Sequence, residues 1–174
     1  MAKMEETPAL KVRPYERTDL AAMREIWNEV VDAGQAFPQE ERLSPEGAGE
    51  FFAAQSACGV AVDAGGELLG LYILHPNNVG RCGHIANASY AVAAKARGRG
   101  AGEALVRASL AEAGRLGFRI LQFNAVAVDN APARRLYERL GFTQLGVVPG
   151  GFRRPGGEYV DIALYWHAVG EAEA

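Results

Sequence analysis

Tyr90-Ala91-Val92-Ala93-Ala94-Lys95-Ala96-Arg97-Gly98-Arg99-Gly100-Ala101-Gly102 is the stretch whose reading decides the fold. It begins as an apolar strand, turns through Arg97 to Gly102, and runs into a helical segment. Glycine lets backbone approach a ligand closely, and a helix N-terminus presents free amides with partial positive charge. Strand, glycine-rich turn and helix start together predict an anion cradle of the kind that holds a pyrophosphate. Arg97 and Arg99 stand in the turn itself.

Outward from the turn, the pattern divides into strands and helices. Before it, residues 10–15 read as a first strand that Pro14 ends, and Leu20, Met23, Trp27, Val30 and Val31 recur at helical spacing until Gly34. A second helix begins at Ser44-Pro45-Glu46, residues 59–62 and 68–74 form a hairpin, and residues 75–83 read as a surface loop. The strand 84–92 then enters the turn. After it come a helix over 101–116 stopped by Gly117, and an apolar strand over 120–128 that reads as buried on both faces. On that helix Ala101, Leu105, Ala108 and Leu116 share one face, with Val106 outside it. Asp129-Asn130-Ala131-Pro132 is a capped helix start, and Gly141 is its natural stop. Strands over 143–148 and 159–167 flank a glycine-rich loop, 149–157, read as mobile. The order β-α-α-β-β-β-α-β-α-β-β predicts one α/β (α+β) domain over 10–168, a seven-stranded mixed, mostly antiparallel sheet with about four helices on both faces. A loose lead-in at 1–9 and a tail at 169–174 complete the chain.

Composition narrows the function classes. The 174 residues are 49% hydrophobic and 22% charged with net charge −3, so neither nucleic acid nor an acidic membrane surface is expected as a partner. No run approaches the roughly 18 apolar residues of a membrane span, and the expected location is the cytoplasm. Two cysteines, Cys58 and Cys82, are too few for a disulfide framework and read as free thiols; His75, His84 and His167 lie far apart, so no metal is expected. The pairs Arg134/Arg135 and Arg153/Arg154 read as surface charge, with contact between Arg153 or Arg154 and an acceptor carboxylate as the alternative.

Which pyrophosphate carrier fits is a question of motif. No Gly-x4-Gly-Lys-Ser/Thr loop occurs, and the dinucleotide pattern Gly-x-Gly-x-x-Gly fails because Glu103 stands where its third glycine belongs. Arg/Gln-x-x-Gly-x-Gly/Ala is met by Arg97, Gly100 and Gly102. Together with the following strand, Asp129-Asn130-Ala131-Pro132-Ala133 and Arg134-Arg135-Leu136-Tyr137-Glu138-Arg139-Leu140-Gly141-Phe142, this resembles the GNAT superfamily of acetyl-coenzyme A dependent N-acetyltransferases. His84 to Tyr90, Gln122-Phe123-Asn124, Pro149 to Arg153 and Tyr159-Val160-Asp161 resemble a narrower group that includes fungal enzymes acetylating proline analogues.

The resemblance implies roles. Backbone amides of Arg97, Gly98, Arg99, Gly100, Ala101 and Gly102 would hold the coenzyme A pyrophosphate. Val92 would offer main-chain hydrogen bonds to the pantetheine arm or the acetyl carbonyl, and Asn130 would touch the cofactor near the pantetheine. Tyr137 matches the family's tyrosine beside the sulfur, a phenol able to protonate the departing thiolate; the narrower group often carries Trp there. Asn87 and Asn124, polar residues in two strands expected to splay apart, match asparagines that contact the acceptor and can orient an amine, a carboxylate or a water.

The expected reaction is transfer of acetyl from acetyl-CoA to the amine of a small molecule, an amino acid or its analogue, in a ternary complex without a covalent enzyme intermediate. Acetylation of a protein N-terminus or lysine is one alternative, and an acyl-CoA binding or sensing module without turnover is another. Plainer readings stand beside these: Tyr137 as a core residue, Asn130 as a helix cap, Asn87 and Asn124 as partners of sheet backbone. A homodimer is expected by analogy alone.

Overall fold

In a computed structural model, which describes residues 10–170, the chain forms one seven-stranded sheet of order β1-β2-β3-β4-β5-β7-β6. The lead-in at 1–9 and tail residues 171–174 lie outside the described residues. The strands are β1 Lys11–Pro14, β2 Ala57–Val62, β3 Leu68–Pro76, β4 Ile85–Val92, β5 Ile120–Ala127, β6 Thr143–Arg153 and β7 Tyr159–Ala168. The helices are α1 Leu20–Ala33, α2 Pro45–Ala53, α3 Ala101–Arg115 and α4 Ala131–Arg139. All strand pairs are antiparallel except β4 with β5. No helix among the described residues is long and apolar enough to cross a membrane.

Alternation along β2 and β3 sorts the helices onto the two faces. A Cβ at Gly70 would lie 3.1 Å from Leu105 of α3, whereas the Cys58 thiol reaches the Phe52 carbonyl of α2 on the opposite face. Trp27 of α1 and Phe52 of α2 are fully buried there and pack at 6.1 Å between ring centroids. Cys58 is buried and Cys82 exposed, and neither is in a disulfide. Burial pushes the Cys58 thiol up to about 12.

Helix ends follow local chemistry. Gly34 closes α1 in the left-handed region at φ 61°, where a side chain would also strike Pro155. Ser44 caps α2 by accepting from the Gly47 amide, and Asn130 caps α4 by accepting from the Ala133 amide at 3.3 Å. Between α1 and α2 the chain is anchored by buried Asn28, which donates to the Leu43 carbonyl and accepts from the Leu43 amide.

Four details differ from the sequence reading. β6 continues through Pro149–Arg153, so most of the supposed mobile loop is strand. It does so by bulging: Pro149, Gly150 and Gly151 have no register partners, and the Gly150 amide donates to the Asp161 carboxylate instead. β3 runs on to Pro76, taking the first two residues of the expected surface loop into the sheet. Strand β5 is not buried on both faces, because Asn124 is exposed where the pairing with β7 is irregular. On α3, Val106 and Ser109 are buried while Leu116 is 38% exposed. The Ser109 hydroxyl donates to the Val106 carbonyl and receives the Tyr90 hydroxyl at 2.7 Å, which is why a polar residue faces inward.

Candidate active site

The site is organised by the one parallel pair. β4 and β5 are in register only at Ile85↔Ile120 and Ala86↔Leu121, after which they part. At the fork the Asn87 amide donates to the Gln122 carbonyl at 2.8 Å, replacing the next rung of the ladder. Its side-chain oxygen has no protein donor among the described residues. The remainder of β4 lines the gap and delivers the chain to the glycine turn.

In that turn Gly98 and Gly100 hold φ of 77° and 84°, and Gly100 is the N-cap of α3. A side chain is strained at such angles, so glycine is needed here for its backbone alone. The Arg97 and Arg99 amides are turned inward to Ala94 and Ala96. The first amides of α3, from Ala101 and Gly102, have no carbonyl within the helix to receive them. The Arg99 guanidinium donates to Asp63 at 3.1 Å and faces away from the cavity that Arg97 helps to line.

Two cavities meet across this scaffold. The larger, about 790 Å³, is lined by Val92, Arg97, Gly98 and Gly100 to Gly102 together with Asp129, Asn130 and Arg154. The smaller, about 310 Å³, is lined by Asn87, Ser89, Phe123, Asn124 and Tyr137 and roofed by Ala36 to Pro38. They share Ala36, Tyr90, Gly102, Asn130, Ala133 and Leu136, so one ligand can extend from the first into the second. Of the sequence-selected residues, only Arg99 contributes no wall to either.

Tyr137 sits in a nest of rings, 4.6 Å from Phe123, 5.6 Å from Phe142 and 5.9 Å from Tyr165 between centroids. Desolvation raises its phenol well above the ordinary tyrosine value, with a smaller push from Tyr165. Its helix is fixed by Arg134, which donates to the Tyr165 hydroxyl at 3.0 Å, the Val128 carbonyl at 2.9 Å and Gln144 at 3.1 Å. Arg134 is therefore a clamp between α4 and the sheet rather than the surface charge its sequence context suggested.

Asn124 is held by a neighbour that sequence reasoning passed over. Its amide donates to Asn77 Oδ1 at 2.5 Å, and its Oδ1 accepts from Gln122 Nε2 at 3.1 Å. Asn77 belongs to the β3–β4 connection, forty-seven positions away in sequence, and no local pattern links the two. A third cavity of about 490 Å³ adjoins this end and shares Phe37 and Pro38 with the smaller one. Asp32, Glu40 and Arg153 line it, and Arg153 donates to Glu40 at 2.7 Å.

The profile of the Acetyltransferase (GNAT) family matches residues 20–142 of this chain. The N-acetyltransferase aca1 of Schizosaccharomyces pombe is 31% identical over 163 residues, spanning 84% of this chain and 78% of that protein. A solved GCN5-related N-acetyltransferase from Kribbella flavida is 40% identical, with a TM-score of 0.85 over 92% of this chain and 98% of that one. A phosphinothricin acetyltransferase from Sinorhizobium meliloti, solved in complex with AcCoA, reaches a TM-score of 0.85 over 92% of this chain and 89% of that one. At 23% identity that last likeness speaks for the fold alone. Taken with the parted parallel strands and the glycine turn at their end, these matches make the chain a member of the GNAT family of acetyltransferases.

Proposed function

We propose that this acetyltransferase moves the acetyl group of acetyl-CoA directly to the amine of a small molecule, an amino acid or an analogue of one. The observation that carries this reading is the continuity of the two cavities, one walled by the amides of a glycine turn and the other by two asparagines and a phenol.

In this reading the amides of Gly98, Gly100, Ala101 and Gly102 hold the pyrophosphate, those of Arg97 and Arg99 being engaged within the turn. Val92 meets the pantetheine arm through its main chain, and Asn130 touches the arm while capping α4. Asn87 and Asn124 orient the acceptor, and the roof at Ala36 to Pro38 limits it to a small molecule. The neutral amine attacks the thioester carbonyl, an N–C bond forms, and the C–S bond breaks. The proton lost by the amine passes to water held by the asparagines, and Tyr137 donates to the departing thiolate and regains a proton from solvent water. Burial keeps the phenol protonated throughout the working pH range, so the proton is present to be given, although the same desolvation makes the phenol a weaker acid. The related S. pombe protein carries the name N-acetyltransferase, which agrees with an amine as the acceptor.

The test is thiol release from acetyl-CoA across a panel of proline-ring analogues, amino acids, polyamines and short peptides. Release is expected with at least one amino-acid-like amine. Stabilisation by coenzyme A with no release from any amine would mark a sensor, and release with peptides alone would mark a protein acetyltransferase.

A further inference from the structure

The sequence context of Arg154 suggests surface charge, yet its side chain is only 17% exposed and lines the larger cavity together with the glycine turn. A guanidinium offers five N–H donors, and this one makes a single hydrogen bond, from Nη2 to Asp129 Oδ1 at 2.7 Å. Glu158 stands 3.9 Å from Nη1, beyond hydrogen-bond reach. Nε is buried with no partner among the described residues. Leaving such donors unmade is costly, and they are ordinarily satisfied.

The backbone beneath Arg154 is fixed. Its amide donates to the Glu158 carbonyl at 2.8 Å, its carbonyl accepts from Gly157 at 2.9 Å, and Pro155 packs against Gly34, where no Cβ would fit. The adjacent side chains diverge: Arg153 lines the third cavity with Glu40, while Arg154 turns to the donor cavity. Asp129 also lines the donor cavity, so the pair presents both a carboxylate unsuited to an anion and a cation suited to one.

Resting on the donor-site reading above, we infer that Arg154 is a second phosphate-binding element, closing on the coenzyme A pyrophosphate from the β6–β7 hairpin while the amides of the glycine turn hold it from the other side. A planar guanidinium recognises phosphate oxygens well; Nε is closed to a ligand by its burial, but Nη1, paired only at 3.9 Å with Glu158, can turn to a phosphate while Nη2 keeps Asp129. The competing explanation is that Arg154 does no more than neutralise Asp129.

Calorimetric titration of coenzyme A, 3′-dephospho-coenzyme A and pantetheine into wild type, Arg154→Gln, Arg154→Lys and the double variant Asp129→Asn/Arg154→Gln separates the two. Coenzyme A binding to wild type establishes the donor site independently; its failure there would sink that reading rather than this one alone. Arg154→Gln is expected to weaken coenzyme A and its 3′-dephospho form alike by about tenfold, the scale of a lost charged hydrogen bond, and to leave pantetheine unchanged. Arg154→Lys should recover part of the loss, which also serves if the Gln variant folds poorly. The double variant should stay weak. Equal affinity in Arg154→Gln, recovery in the double variant, or a deficit that disappears with 3′-dephospho-coenzyme A would each overturn the assignment.

Discussion

The turn from Arg97 to Gly102 and the asparagine-lined cavity beside it are parts of one site built by opposite means. The turn is a single run of chain whose geometry follows from glycines at positive φ and a helix that begins where they end. The second cavity collects Asn87 from β4, Asn124 from β5, Tyr137 from α4 and a roof from the α1–α2 connection. Three are placed by long-range bonds, Asn87 by the Gln122 carbonyl, Asn124 by Asn77 and the roof segment by Asn28 with Leu43, and Tyr137 is placed by ring packing against Phe123 and Phe142. A local device of this kind suits a donor whose phosphates never change. A cavity gathered from several elements is where the acceptor can change by altering one element at a time.

That contrast predicts which variants separate turnover, acceptor affinity and donor affinity. Tyr137→Phe should show the largest effect, lowering kcat by about a hundredfold, the usual scale for a positioned acid, with acetyl-CoA affinity within about twofold of wild type. Single-turnover kinetics beside a binding titration check this, and unchanged turnover would remove the acid role. The pH profile carries the sign. The acid must be protonated, and burial raises its pKa above the ordinary value of about 10. No loss of rate below pH ~10 should therefore trace to this phenol, and Tyr137→Phe should leave any limb in that range where it was.

Next in size, Asn124→Ala should raise the acceptor KM by about tenfold while coenzyme A binding holds. Asn87→Ala should do the same and also lower stability by about 1 kcal/mol, because it leaves the Gln122 carbonyl at the fork without its donor. Equal stability in the two variants would mean that Asn87 does not hold the fork.

Smaller still, Gly100→Ala meets nothing within 4 Å but must adopt φ near 84°. The unfolding free energy measured at saturating coenzyme A should fall by about 1 kcal/mol, whether the strain appears as lost stability or lost affinity. The smallest change is expected for Arg99→Ala, whose guanidinium serves Asp63: coenzyme A affinity within about twofold of wild type. A large loss there would mean that the arginine turns to the phosphates on binding.

The same contrast explains what could be read from the sequence. Glycines in the turn, the Asn130 cap with Pro132, and the stops at Gly34, Gly117 and Gly141 are local signals, and the element order follows from them. Periodicity misjudged α3, because Ser109 is buried by its bond to Tyr90, a residue nineteen positions earlier on another element. Arg134 and Arg154 looked like ordinary surface arginines, since a charged residue carries no sign of the carbonyl, phenol or carboxylate it will meet. Asn77 lay in a loop of turn formers and was invisible for the same reason. β6 was cut short because Pro149-Gly150-Gly151 reads as a turn, and only Asp161 on the neighbouring strand shows how a strand survives it.

The measurement closest to the central claim is a crystal structure of this chain with coenzyme A. The pyrophosphate should lie on the amides of Gly98, Gly100, Ala101 and Gly102, and the thiol should enter the fork of β4 and β5 between Tyr137 and the pair Asn87 and Asn124. A pantetheine arm that leaves the glycine turn in another direction, with its sulfur outside the asparagine-lined cavity, would contradict the account.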